Sequence, residues 1–522
     1  MEADTGRHDG DKAAHFLSGS TALLAASLLS GTLSFAWTVL MSRLLGPEGY
    51  GFVGPFLNAF WMLTAALTLG IPHAMATFIS DRHHEDPAEA KRVMAQGMWL
   101  LFVIAGLFTA AAVAGILTAV AAHRISRLMA ALSLVMLAAL LGRQFYMGMF
   151  AVMAGLQKYT VLAISNSSYS ILMLSCSIVF VIAARRYYPG STDACIIAGA
   201  AGIGAAAVIQ YILSLFIVKF AGVSASSLFA WKSAGGGARR LLLFGLPSAI
   251  AMIAGSNLSY IPPVAVSFFA HKFGVFGATQ AQNAVHAGWF SGGFTYALAP
   301  MLIVGMVFAI VPAVSEAESQ GNHALMQRYF DLAVKYCVTI MLYVMSVYVV
   351  FAGRIVELFS GGKFPEATMG PLTTTLAAGM CICMMIMLMC NILIGTKRPV
   401  APAVATTVIL VAEVAALAAA GVGRGSIFIA AAAFDATVLI GFAFLAVYLK
   451  VKVGLSWSWS ALPRPLAAGA ATALLTKLIP LHGNLFMIAA AASLPCYFAI
   501  LYLIGGIKKE ELKMFRGGKA QS

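Results

Sequence analysis

About fourteen runs of roughly 20 mainly apolar residues follow one another along this chain, and a helix needs that length to cross the hydrocarbon of a bilayer. They are centred near Leu29, Leu67, Leu107, Leu137, Leu172, Val208, Ala254, Ile303, Leu342, Met380, Val411, Val438, Ala471 and Ala492. The breaks between them are short and carry turn residues: Gly46-Pro47, Asp81 to Arg92, Pro189-Gly190, Gly235 to Arg240, Gly361-Gly362 and Lys397 to Pro399. No break leaves room for a soluble catalytic domain. Of the 522 residues 61 % are hydrophobic and 10 % are charged, where a soluble domain carries about 25 % charged residues. Polar surface is too scarce to cover so large an apolar content. Composition therefore excludes a soluble enzyme, a disordered chain and, despite a formal net charge of +14, a nucleic-acid binder. The sequence predicts an all-α polytopic membrane protein.

The first run, Phe16 to Met41, is longer than the apolar core of a cleavable signal and reads as the first spanning helix. With the N-terminus inside, the inner connections hold about 22 Lys and Arg and the outer ones about 10, which predicts cytoplasmic termini in a multi-pass protein of the cell membrane. The basic tail from Lys508 to Lys519 suits an inner end facing anionic lipid. Seven cysteines, mostly within apolar runs and without paired zinc spacing, predict neither disulfides nor a metal site. The sulfur-rich run from Met380 to Cys390 has donors that suit Cu(I), but they are spread around a helix, which favours packing.

Features recur about 235–240 residues apart. Ser80-Asp81 and Arg92 return as Ser315-Glu316 and Arg328; Gly155, Lys158 and Val161 return as Gly395, Lys397 and Val400. The offset is six helices, so the copies share one orientation and should be related by an axis along the membrane normal. The expected domains are residues 1–220 (spans one to six), a linker over 221–240, residues 241–450 (spans seven to twelve), and 451–522, two accessory spans with the basic tail.

Three charges fall near the centres of spans: Arg143, Glu413 and Asp435. Each costs about 2.5–3.5 kcal/mol at mid-bilayer, so each should line water, pair or be neutralised. Arg143, followed by Gln144, reads either as a phosphate or pyrophosphate ligand or as a structural Arg bonded within the bundle. Glu413 and Asp435 lie at matching depth on either side of the connection at Gly423-Arg424. Like charges that close share a proton or bind a cation, which motivates a coupling-ion site for Na⁺ or H⁺; the alternative is two protonated, hydrogen-bonded carboxyls. Arg43, at the outer end of the first helix, either meets a headgroup or snorkels. Asn58 and Asn166 either line a cavity or bridge helices. His73 and His286 read as hydrogen-bonded helix residues.

The hairpin Ser42-Arg43-Leu44-Leu45-Gly46-Pro47-Glu48-Gly49-Tyr50-Gly51 resembles the opening signature of polysaccharide and oligosaccharide-lipid flippases, a family of the multidrug/oligosaccharidyl-lipid/polysaccharide (MOP) exporter superfamily. The resemblance continues in Phe244-Gly245-Leu246-Pro247, Val311-Pro312-Ala313-Val314-Ser315-Glu316-Ala317, Ile355 to Gly361 and Asn391 to Lys397, and so covers most of residues 16–450. The Val311 to Ala317 stretch is similar to the stage V sporulation protein B branch. The resemblance implies two six-helix lobes forming a V around a polar cavity. It also implies alternating-access transport of a prenyl-pyrophosphate-linked oligosaccharide or polysaccharide repeat, with glycosyltransferases or polymerases as partners, no enzymatic activity and no cofactor beyond a coupling ion. In lipid II flippases a sodium site lies among the seventh, eleventh and twelfth helices, which would join Asn257 to Glu413 and Asp435. Those flippases carry arginines in the first helix, whereas Leu23 to Leu40 has no charge here. A multidrug exporter of the same superfamily and a membrane-embedded glycan polymerase or ligase are the alternatives. The first usually has twelve spans; the second would want a large external catalytic loop.

Overall fold

The computed structural model describes residues 2–82, 86–123, 125–156, 158–230, 238–246, 258–277, 279–303, 310, 314, 317–318, 320–396, 398, 400–424, 426–458, 462–478 and 486–507. Among these there is no β-strand, and ten helices are long and apolar enough to cross a membrane. The protein is all-α. The elements are α1 (Glu2–Thr68), α2 (Ile71–Arg82), α3 (Pro87–Ala121), α4 (Arg127–Gly155), α5 (Tyr159–Tyr187), α6 (Thr192–Ile217) and α7 (Ile261–Phe273). They continue with α8 (Gln280–Tyr296), α9 (His323–Ser360), α10 (Glu366–Gly395), α11 (Val400–Arg424), α12 (Ile427–Lys452), α13 (Pro463–Leu478) and α14 (Phe486–Leu503). The seventh and eighth expected spans run partly through residues outside those described, as does the basic tail.

Local chemistry explains the boundaries. Asp86 caps α3 by accepting from the amides of Ala88 and Glu89, with Pro87 at the first helical position, where a missing N–H costs nothing. Ser126 caps α4, Asn322 caps α9, and Gly361, at φ 67°, closes α9 in the left-handed region. Within α1 a single residue, Gly46 (φ 70°, ψ −177°), breaks the helix, and Pro47 starts its second half. The second apolar run is not one continuous helix: Leu69 and Gly70 take positive φ, and α2 starts afresh at Ile71. Pro72 accounts for this, because it has no N–H to give the carbonyl of Thr68 and its ring would clash there.

Pro55, inside the second half of α1, leaves the carbonyl of Gly51 without its helical donor. Ser267 Oγ of α7 donates to that carbonyl instead, at 3.2 Å. Alongside, α1 and the first part of α8 approach backbone to backbone. A Cβ on Gly51 would overlap the Ala284 carbonyl, and one on Gly288 would overlap the Pro47 carbonyl.

The chain forms two compact units, residues 1–268 with 280–288 and residues 269–279 with 289–522. In the first, α4 packs on α3 and α6, and α5 on α6. In the second, α10 packs on α9 and α12, and α11 on α12. The starts of α9, α10, α11 and α12 follow those of α3, α4, α5 and α6 by about 235–241 residues, so the same pairs recur in order. The accessory α13 and α14 pack on each other and on α9. Val400, Val404, Val408 and Val411 form an exposed stripe along α11, an apolar face of the kind that lipid covers.

Candidate functional site

The first unit holds a buried cation. Gly142 of α4 lets the backbone of α6 come close, since a Cβ there would lie 2.9 Å from the Ala207 carbonyl. The next residue, Arg143, is thereby brought to α6, where its Nη1 donates to Gln210 Oε1 at 2.7 Å. Gln210 in turn donates to the Ser165 carbonyl of α5 at 3.0 Å. The guanidinium carbon sits 4.8, 4.7 and 4.9 Å from the ring centroids of Trp61, Tyr146 and Tyr169. A desolvated cation against such faces gains about 2 kcal/mol or more per favourable contact. Arg143 is 7 % exposed, its Nε has no hydrogen-bond partner, and no carboxylate pairs with it among the described residues. Gln144 donates to the Thr64 carbonyl at 3.1 Å and so ties α4 to α1.

The second unit holds two carboxylates. Glu413 of α11 is 0 % exposed, and neither carboxylate oxygen has a hydrogen-bond partner among the described residues. Asp435 of α12 is half-buried; its Oδ1 lies beside Gly379 of α10, where a Cβ would collide with it, and has no hydrogen-bond partner among the described residues. Phe434, next to Asp435, packs edge-on against Phe294 with ring centroids 5.6 Å apart. Both carboxylates act electrostatically on the Cys383 thiol of α10. They are not hydrogen-bonded to each other. Matching depth, which the sequence supplied, sets height along the helices but leaves open the direction in which each side chain leaves its axis. Among the described residues no three His, Cys, Asp or Glu side chains group closely enough to hold a metal ion.

The remaining expected residues are dispersed. Arg43 is exposed near the Gly46 break, where Arg185 donates to the adjacent Leu44 carbonyl. Asn58 turns onto its own helix and donates to the Gly54 carbonyl at 2.9 Å. Asn166 is half-buried without a side-chain hydrogen bond among the described residues. Asn257 lies outside the described residues. Sequence reasoning missed Gln210 and the aromatic enclosure of Trp61, Tyr146 and Tyr169. A lone Gln in an otherwise apolar helix and the Arg143–Tyr146 spacing of one turn were the available signals.

The two sites stand in register. Arg143 precedes Gly155, the last residue of α4, by the same number of positions as Cys383 precedes Gly395, the last residue of α10. One position of the repeat thus carries a cation in one unit and neighbours two acids in the other.

The fold, with its repeated helix pairs, is shared with several solved structures. One is an inward-facing multidrug resistance MATE family transporter of the MOP superfamily, at TM-score 0.64 and 17 % identity over 82 % of this chain and 96 % of that one. Another is the lipid II flippase MurJ in an inward closed conformation, at TM-score 0.66 and 13 % identity over 92 % and 98 %. A third is a MOP superfamily transporter from Pyrococcus furiosus, described as having a binding pocket of reversed polarity, at TM-score 0.58 and 18 % identity over 84 % and 95 %. The chain belongs to the polysaccharide biosynthesis protein family, whose model matches residues 16–318. No curated protein matches it in sequence. With ten helices long and apolar enough to cross a membrane among the described residues, it is a multi-pass membrane protein of that family.

Proposed function

We propose that this protein moves a prenyl-pyrophosphate-linked oligosaccharide or polysaccharide repeat unit across the cell membrane, from the cytoplasmic leaflet outward, by alternating access. The observation that carries the reading is Arg143: a permanent cation enclosed by a helix bundle, unpaired by any described carboxylate and with Nε unsatisfied. Such a group attracts an oxyanion, and a guanidinium binds phosphate oxygens bidentately. A pyrophosphate needs that help because unaided passage through hydrocarbon is prohibitive, while a prenyl tail stays in lipid. The family and the fold shared with a lipid II flippase support a lipid-linked cargo. Gln144, Asn58 and Asn166 are further polar side chains on the same unit proposed to meet the cargo, and Arg43 is proposed to do so at the helix end. Glu413 and Asp435, with Asn257, form the proposed coupling site for Na⁺ or H⁺. Both termini are cytoplasmic in this reading, and glycosyltransferases or polymerases working on the same glycan are the partners.

The test is replacement of the gene by an Arg143→Ala allele. Export should fall at least about tenfold, the loss expected for one charge-assisted contact, with a lipid-linked intermediate accumulating on the inner leaflet at unchanged protein level. Normal export overturns the proposal. The orphaned Glu413 carboxylate also favours a second reading, a cation-coupled drug exporter, which would instead appear as resistance to toxic cations on overexpression.

A further inference from the structure

A cavity of about 420 Å³ lies in the second unit, where the N-terminal ends of α9 and α13 meet the C-terminal end of α14. Its lining includes three cations, Arg328 and Lys335 of α9 and Arg464 of α13, and one carboxylate, Asp331. Gln327 donates to Asp331 Oδ1 at 2.9 Å. Two helix N-termini add their positive ends to the cationic excess. The walls are held in place without a ligand. Gln327 exchanges hydrogen bonds with the backbone of Ser456, at 2.8 and 2.9 Å, and Arg464 Nη1 donates to the Gly505 carbonyl at 3.1 Å. Trp457 is set edge-on between Phe330 and Phe442. Arg328 is exposed and has no hydrogen-bond or ion-pair partner among the described residues. Beside the cavity, Leu466 of α13, Leu503 at the end of α14 and Ile504 just beyond it are exposed apolar side chains.

We infer that this cavity binds a phosphate-bearing anion, with Arg328 as its free electrostatic contact. A membrane phospholipid suits it best, because the polar chamber and the exposed apolar edge match a headgroup and its acyl chains in turn. This site is separate from Arg143 and from the acidic pair, and it does not depend on which cargo the transporter carries.

The experiment uses the purified full chain in zwitterionic detergent. Binding of dioctanoyl phosphatidylglycerol, dioctanoyl phosphatidylcholine and inorganic phosphate is measured by native mass spectrometry, for the wild type and for Arg328→Ala and Arg328→Glu. Both substitutions are at an exposed position, and an unchanged melting temperature without ligand checks that the variants fold. Phosphatidylglycerol should bind more tightly than phosphatidylcholine, and Arg328→Ala should weaken it about fivefold, the contribution of one cation at a membrane surface, with Arg328→Glu weakening it further. Arg328-dependent binding of inorganic phosphate as tight as that of phosphatidylglycerol would support the anion site and assign it to a free phosphate. Binding no tighter than phosphatidylcholine for both anions, or anion binding untouched by both variants, overturns the inference.

Discussion

Glu413 has both carboxylate oxygens buried without a hydrogen-bond partner among the described residues, a condition that stability alone would remove. Replacing it by Leu should therefore raise the thermal stability, by about 1–3 kcal/mol, while a transporter coupled through this carboxylate loses its response to a Na⁺ or pH gradient in proteoliposomes. Wild-type transport indifferent to both gradients would end the coupling role. At this scale, the sequence was informative about charge and silent about enclosure. Arg143, Glu413 and Asp435 stand out in apolar runs because each is expensive there, so their presence alone signals a compensating environment. Gln210, Trp61, Tyr146 and Tyr169 cost nothing unusual in a helix bundle and carry no such signal. Their convergence on Arg143 depends on how four helices are rotated about their axes, which residue spacing along any one of them does not encode.

Among the elements, helix boundaries were the most legible feature, since Gly and Pro act through local backbone chemistry. The breaks at Pro189-Gly190 and Gly361-Gly362 coincide with helix ends, and that at Gly46-Pro47 with the interruption inside α1. The interruption at Leu69-Gly70 escaped an apolar-run reading because hydrophobicity is continuous through it; Pro72 was the local clue. Pro55 shows the opposite outcome, a proline retained inside a helix because a neighbour supplies the missing donor. Ser267→Ala should leave the Gly51 carbonyl unsatisfied and cost about 1–3 kcal/mol. In a Pro55→Ala background the restored amide makes the serine redundant, so Ser267→Ala should cost markedly less there. Thermal melts of the four proteins measure that coupling; additive effects would show that the hydroxyl does not replace the amide.

For the molecule as a whole, the recurrence of helix pairs at a constant offset was visible from a handful of loop residues, because duplicated connections keep their turn chemistry while apolar helices drift. The two compact units are residues 1–268 with 280–288 and 269–279 with 289–522, so α7 and α8 each contribute residues to both. That boundary depends on tertiary packing, and the composition of the 221–240 segment contains no trace of it. The Lys and Arg asymmetry makes a topological prediction. In a chain whose native cysteines are replaced by Ser, a Pro189→Cys label should react with a membrane-impermeant thiol reagent from outside, and a His323→Cys label only after permeabilisation. The inverse pattern would reverse the proposed orientation.

The turn at Gly46 joins two long helical segments through a single non-helical residue, and the links from Gly395 to Val400 and from Arg424 to Ile427 are nearly as spare. In most binding proteins, recognition is written on loops that can lengthen, exchange and diversify independently of the scaffold. These connections offer little such material. In the proposed transport, selectivity would rest on side chains of helix faces that also pack the bundle, so changing the cargo would mean editing the scaffold itself. Variants with altered substrate range should arise from point substitutions within spans, and grafting loops from a relative with another cargo should transfer little.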